Sequence, residues 1–499
     1  MSHAVASGHD LTTQSACAIL AEGGTAVDAC IAAALTAFVT EPVLAQPFGG
    51  GFMMIVPQDR RPVCMDAFVE TPPARSDAAD LDIQTITVDF GAALQDFHIG
   101  AGTTATPCLI PGLFEAHARY GRLPMRELAA PAVALAREGV SITDFQAYLL
   151  SLVKPIYLAS DGAAAVFGKD GETLPADTTY VNRDLADVLE VMANEGPRFF
   201  AEGEVAQALT GQPGALTTPA ALRAAAPVWR APLTLDRAGS RVALNPPPSL
   251  GGVQIALALS ALPPDPGPAT IARAMAEIVR IRRDTGLDTA PERAEGLLLS
   301  PDLVRDLQRI LAAHQVSTQG TTHISAIDRD GMGAALTLSN GAGNGRILPG
   351  TGIMPNNMLG EEDLVPGGPT SWTPGRRLAS MMCPMTITDR QGRLTMLGTG
   401  GSNRIRSALT IVALGLIDRG LALDEAIAAA RMHMEGQTLY FEDTGGDAMR
   451  DALLTDWPEA QAFAQPNLFF GGVHAVRLAA SGDLFGAGDP RRSGSAIVG

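Results

Sequence analysis

The order of secondary-structure signals predicts an α+β protein in which two antiparallel sheets stack face to face between helical layers, an αββα sandwich. Three observations carry this. The last third of the chain reads as hairpin, hairpin, two helices and hairpin: residues 321–339, 384–397, a helix opening at Gly398-Thr399-Gly400-Gly401-Ser402-Asn403 and ending near Asp418, a helix over 423–434, and paired strands at 473–478 and 483–486. Two apolar helical runs open the chain. Between them and the rest stands a glycine-rich strand, Phe48-Gly49-Gly50-Gly51-Phe52-Met53-Met54-Ile55-Val56.

Taken in order, residues 13–24 form a helix stopped by Gly23-Gly24, and residues 26–35 form a second that is nearly apolar all round and therefore buried. Three consecutive glycines at 49–51 let the backbone pass close to a ligand or another strand. They lead into a strand, the reverse of a dinucleotide loop, which follows a strand and opens a helix. Residues 70–106 give no clear period. Pro111 to Gly121 is a helix with proline near its start and glycine past its end, and residues 129–139 are another. Residues 140–310 read as a mostly helical layer with Pro/Gly/Ala-rich loops, and residues 340–374 as a long Gly/Pro/Asn segment of the kind that is usually functional or disordered.

A chain of 499 residues, 46% hydrophobic and 18% charged, is a large globular protein rather than a disordered one. Its net charge of −17 argues against nucleic acid or an anionic membrane as partner. Five scattered cysteines, Cys17, Cys30, Cys64, Cys108 and Cys383, with no C-x-x-C spacing, indicate neither a disulfide framework nor a zinc site, and no metal or cofactor is expected. No basic and apolar leader opens the chain and no apolar run is long enough to span a bilayer, so the expected location is the cytoplasm.

The chemistry centres on Gly320-Thr321-Thr322-His323-Ile324-Ser325, the mouth of the first hairpin, which follows the polar run Ser317-Thr318-Gln319. Taken alone, two threonines at a strand start are simply good β-formers. A hydroxyl beside a glycyl peptide bond is also placed to attack it by an N→O acyl shift. Hydrolysis of that ester leaves Thr321 with a free α-amine, titrating at about 7.7–8.0 when unperturbed, next to its own hydroxyl. Such an amine activates the hydroxyl as a nucleophile without a histidine.

Several stretches together bear a resemblance. Glu22-Gly23-Gly24-Thr25-Ala26-Val27-Asp28-Ala29, Gly49-Gly50-Gly51-Phe52-Met53, Pro111-Gly112-Leu113, Thr321-Thr322-His323-Ile324-Ser325, Asn356-Asn357-Met358, residues 398–404 and Gly488-Asp489-Pro490-Arg491 fall in the order found in the γ-glutamyltransferases (glutathione hydrolases), of the N-terminal nucleophile hydrolase class. The resemblance covers nearly the whole chain and is weakest over 140–310. It implies a four-layer αββα sandwich, cut at Gly320–Thr321 into residues 1–320 and 321–499, which stay intertwined as one unit. It implies acyl transfer from a γ-glutamyl amide to water or an amine through an ester on Thr321, or the same chemistry on another small acyl amide, such as an oxamate-like or side-chain acyl group. A non-catalytic relative is a third reading, opposed by the presence of Thr321, Ser339 and the 400–402 loop.

By the same resemblance, Ser339 matches a threonine that supports the nucleophile, and Asn340 is similar to an asparagine that holds the substrate α-carboxylate. Glu361 lies where an acidic group meets the α-amine, Met358 where the family has a glutamine, and Ser380 fits the first of two carboxylate-binding serines, the second being Met381 here. Gly400, Gly401 and Ser402 occupy the oxyanion loop, a sensible place for backbone donors at a helix start. One departure matters most: the family's carboxylate-clamping arginine falls at Val69 in Phe68-Val69-Glu70. Valine cannot replace a guanidinium fork, so the standard donor is in question. Arg376, Arg377 and Arg404 are the nearest replacements in sequence, with surface or structural pairing as their ordinary role. Among the remaining groups, His323 alternates away from the nucleophile and is read as structural, His98 as a bonded loop residue, His433 as a structural helix residue and Cys383 as core.

Overall fold

The computed structural model describes residues 2–75, 80–89, 94–284 and 320–499. At its centre lie two antiparallel sheets. The first runs, in spatial order, Val228–Arg230, Val63–Ala67, Gly50–Val56, Gly333–Ser339, Thr322–Ile327, Ala4–Ser7 and Ser495–Val498. The second runs Leu233–Arg237, Ser240–Leu244, Met385–Thr388, Leu394–Gly400, Gly472–Leu478 and Leu484–Ala487.

Alternation of side chains across the strands builds three apolar layers from these two sheets. Ala4, Ala6, Met54, Val56, Ile327, Leu394, Met396 and Val476 meet between the sheets. Their sequence neighbours point outward: Val5, Met53, Ile55, Ile324 and Ala326 pack under the helices Asp10–Ala21 and Ala26–Thr40, and Leu397, Val473 and Ala475 pack under the helices Leu250–Ala261 and Arg404–Ile417. Helix, sheet, sheet and helix therefore stack in the expected order.

The Gly-Gly-Thr-Ala-Val-Asp stretch is explained locally. Thr25 Oγ1 accepts from the Asp28 N–H at 3.1 Å and the Asp28 carboxylate accepts from the Thr25 N–H at 2.9 Å, a capping box that starts the buried helix. The three glycines answer to a neighbouring strand, not a ligand: a Cβ on Gly51 would lie 2.8 Å from the Thr337 carbonyl oxygen, and one on Gly50 2.8 Å from the Phe68 ring.

The sequence reading differs from the structure in three places. Residues 140–310 are not only helical where described. Leu233–Arg237 and Ser240–Leu244 form a hairpin that edges the second sheet, turning through Ala238 and Gly239, both at positive φ. The remainder of that layer, 285–310, lies outside the described residues, as does Ser317-Thr318-Gln319. The run 423–434 is not one helix: Leu423–Ala428 is helical, and Met432–Glu435 is a strand paired with Thr438–Glu442, because Met432 and Met434 alternate into the core. Residues 70–106, unread in sequence, contain the hairpin Gln84–Asp89 and Leu94–Ile99.

Candidate active site

The first hairpin places the nucleophile candidate by register. Thr322 pairs with Leu338, so the next pair outward sets Thr321 opposite Ser339. Their hydroxyls converge: Thr321 Oγ1 donates to the Gly320 carbonyl oxygen at 2.7 Å, and Ser339 Oγ donates to the same oxygen at 2.8 Å. The Gly341 N–H donates to Ser339 Oγ at 3.0 Å and fixes that hydroxyl.

From the second sheet, the Leu394–Gly400 strand ends against this point. A Cβ on Gly400 would fall 1.9 Å from the Thr321 carbonyl oxygen, so the two sheets approach more closely here than any side chain allows. Gly401 has φ +121° and Ser402 sits in the left-handed region at φ 50°, a strained position for a residue with a Cβ. The Arg404 and Ile405 N–H groups donate back to the Gly401 and Ser402 carbonyls, and the helix Arg404–Ile417 begins.

These elements wall a cleft of about 380 Å³, counting its open mouth. Thr321, Ser339 and Gly320 close one end. The rest of the lining is apolar groups, Phe68, Met358, Leu364, Met381, Met382 and Ile405, together with Ser380, Ser402, Glu361 and Asp363. Asp363 accepts from Ser402 Oγ and from Asn403 Nδ2, each at 3.3 Å. Burial holds the Glu361 carboxyl well above the usual carboxylate range, and the nearby Asp363 charge adds to the effect. Gly341 admits that carboxyl, since a Cβ there would lie 2.3 Å from Glu361 Oε1.

Two residues expected at the site are not brought to it. Asn340 follows Ser339 and points the other way; it is fully buried, and its Nδ2 donates to the Met354 carbonyl at 3.1 Å. Val69 is likewise fully buried and is not among the residues that line the cleft, whereas its neighbour Phe68 is. The arginines considered as replacements are committed elsewhere. Arg377 donates to the Phe68 carbonyl at 2.6 Å and to Glu70 at 2.7 Å, and Arg404 pairs with Glu435 at 3.0 Å over the face of Phe469. Arg376 is exposed.

The histidines and Cys383 lie off the cleft. His323 is buried between the sheets, its nitrogens bonded to Thr337 and Ser325 at 2.8 and 2.9 Å. His433 bonds Ser407 and Glu435, and His98 meets Thr85 at 3.0 Å from a strand rather than a loop. Burial pushes the Cys383 thiol up to about 12, which leaves it unreactive.

Sequence reasoning missed the groups behind the nucleophile. Thr322 Oγ1 donates to Glu41 Oε2 at 2.7 Å, Thr12 donates to the other oxygen at 3.4 Å, and Arg492 donates to the Thr321 carbonyl at 3.3 Å. Burial pushes the Glu41 carboxyl up to about 7, with the Thr322 and Thr12 hydroxyls pulling against it. A glutamate closing a nearly apolar helix was the one available signal. Asp363 and Phe68 were also missed, although both adjoin residues that were singled out.

With this geometry in place, comparison with known proteins is decisive. The sequence model of the gamma-glutamyltranspeptidase family matches residues 12–499. The chain belongs to that family. Among curated relatives, it is 28% identical to the acylase ACY 1 proenzyme of a Pseudomonas species (strain V22), over 99% of this chain and 93% of that protein. It is also 28% identical to the glutathione hydrolase proenzyme of Escherichia coli (strain K12), over 98% and 90%. The fold matches the crystal structure of cephalosporin acylase from Bacillus halodurans with a TM-score of 0.84, at 21% identity, covering 99% of this chain and 95% of that one. The protein is thus an enzyme of the N-terminal nucleophile hydrolase type, built on the αββα sandwich that its strand order predicts.

Proposed function

We propose that Thr321 first cuts its own chain at Gly320–Thr321 and then serves as the nucleophile of an amide-cleaving acyl transfer. The observation that carries this is the convergence of the Thr321 and Ser339 hydroxyls on the Gly320 carbonyl oxygen, at 2.7 and 2.8 Å. In the self-cleavage, Thr321 Oγ1 attacks the Gly320 carbonyl carbon. Negative charge develops on the oxygen that Ser339 Oγ already contacts, where a donor stabilises the tetrahedral intermediate. The C–N bond breaks as the Oγ1 proton passes to the departing Thr321 nitrogen, the acyl group moves to oxygen, and water hydrolyses the ester to leave the Gly320 carboxylate and the free Thr321 amine.

In turnover that amine, as a free base, takes the proton from Thr321 Oγ1 as the hydroxyl attacks the donor carbonyl, and passes it to the departing nitrogen. The ester on Thr321 then yields its acyl group to water or an amine acceptor. The Gly400-Gly401-Ser402 turn stands where a backbone oxyanion site is required, against the Thr321 peptide. Ser380 and Met358 wall the acyl end, with Glu361 meeting a donor amine.

A γ-glutamyl amide of the glutathione type is the donor this reading takes first, since relatives across the family carry the name glutathione hydrolase. Acylase chemistry on another small acyl amide is the second, favoured by a cleft in which no Arg, Lys or His is among the described lining residues. Denaturing electrophoresis with N-terminal sequencing tests the shared core. The smaller band should begin Thr-Thr-His-Ile-Ser, and Thr321→Ala should remain a single inactive chain. A different N-terminus, or unchanged cleavage of the alanine variant, contradicts the proposal.

A further inference from the structure

The cleft sorts its charges. Glu361 and Asp363 stand on its wall, and no basic side chain stands there among the described residues. Arg377, whose guanidinium bonds the backbone of the lining residue Phe68, is held by the Phe68 carbonyl and Glu70 and lies 3.6 Å from Asp66. Arg404 contributes charge to Asp363 from behind, but its own guanidinium is buried on Glu435 and Phe469. The rest of the described lining away from Thr321 and Ser339 is mostly hydrocarbon and thioether, with Phe68, Met358, Leu364 and Met381 among it. A donor carboxylate placed here meets two acidic side chains and, among the described residues, no guanidinium fork to receive it, whereas an ammonium meets two acidic side chains whose oxygens can accept from it.

Resting on the Thr321 reading above, we propose that the acyl donor is a short ω-amino acyl amide: a methylene chain lying on Phe68, Met358 and Met381, with its ammonium at Glu361 and Asp363 and no carboxylate. The ester forms between Thr321 Oγ1 and the donor acyl carbon as that carbon's bond to nitrogen breaks. The Oγ1 proton passes through the Thr321 amine to the leaving amine, and water releases the free ω-amino acid. Glu361 and Asp363 are the specificity-determining residues.

The experiment uses the wild-type, self-cleaved protein and four p-nitroanilides that vary the two charges independently: 4-aminobutyryl (amine only), γ-glutamyl (amine and carboxylate), glutaryl (carboxylate only) and butanoyl (neither). The 4-aminobutyryl compound should exceed γ-glutamyl in kcat/KM by roughly tenfold or more, about the worth of one charge-assisted contact, and glutaryl should be the poorest. Glu361→Gln and Asp363→Asn should each narrow the ratio of 4-aminobutyryl to butanoyl. A γ-glutamyl rate equal to or above the 4-aminobutyryl rate, a preference for glutaryl or butanoyl, or inertness of cleaved enzyme toward all four overturns the donor assignment and leaves Thr321 as nucleophile. Wild-type protein that fails to cleave itself, or turnover by Thr321→Ala, brings down both readings.

Discussion

The two ends of the cleft are built from different materials. The nucleophile end consists of strand termini, where Thr321 and Ser339 face each other by register and Gly400 closes in from the opposite sheet, and its contacts are backbone and hydroxyl groups with the Arg492 guanidinium on the Thr321 carbonyl. The acyl end consists largely of side chains from residues 358–382, with Ile405 and Phe68, and of the neighbours Phe68 and Val69 only Phe68 is in the lining. A site held by register keeps its geometry when side chains change, whereas a site made of loop side chains changes specificity with each substitution. Chemistry and donor choice are therefore separable in this molecule.

Substitutions at the nucleophile end should act on every donor alike. Thr321→Ala should abolish cleavage and reduce turnover by roughly 10⁶-fold, the scale of losing a covalent nucleophile; Thr321→Ser should retain both, and comparing the two on several donors tests the point. Gly400→Ala should come next, because its Cβ would lie 1.9 Å from the Thr321 carbonyl oxygen; uncleaved chain on a denaturing gel is the expected result. Ser339→Ala removes one donor to the Gly320 carbonyl oxygen and should slow self-cleavage about 10²–10³-fold, measured as the half-time of band splitting. Equal rates for Ser339→Ala and wild type would erase the distinction drawn for this end.

At the acyl end the expected effects are smaller and selective. Met381→Ser should change the ratio of rates among donors by about tenfold, since a single polar contact in a pocket is worth roughly 1–2 kcal/mol, while the half-time of self-cleavage stays as in wild type. Changes in both by the same factor would mean that the two ends are not separable.

The last effect lies behind the nucleophile and falls on stability rather than on turnover. The Glu41 carboxyl is raised from an ordinary value near 4.5 to about 7 by burial, so the folded state holds its proton where the unfolded state has lost it. Stability from this group is therefore lost as pH rises from about 4.5 through 7, by a few kcal/mol at most on the usual conversion of about 1.4 kcal/mol per pH unit. Glu41→Gln should accordingly gain in Tm relative to wild type between pH 5 and pH 8. The buried imidazoles of His323 and His433, held well below their usual range by burial, act with the opposite sign: their contribution is present above the unfolded value of 6.5 and fades as pH falls below it.

Legibility in sequence followed the same division. Alternation and turn signals exposed the hairpin of Thr321 and the strand that ends at Gly400, because strand period and glycine turns are local properties. The identity of the wall was harder to read. Val69 was expected there and Phe68 is found, because the strand before them ends at Ala67 and nothing within Phe68-Val69-Glu70 states which side the cleft is on. Asn340 failed because its amide is taken by the Met354 carbonyl. The hairpin at Leu233–Arg237 and Ser240–Leu244 was passed over inside a stretch otherwise full of helices, and Glu41 owes its position to Thr322, which is far from it in sequence.

The central claim is that one residue performs both the self-cleavage and the acyl transfer. Intact-mass and fragmentation analysis of the enzyme quenched during slow turnover of a small acyl anilide tests it most directly. The account predicts a smaller fragment spanning residues 321–499 that gains the mass of one acyl group, localised to Thr321. An adduct on Cys383 or any other side chain, or a fragment that begins at a residue other than Thr321, would contradict it.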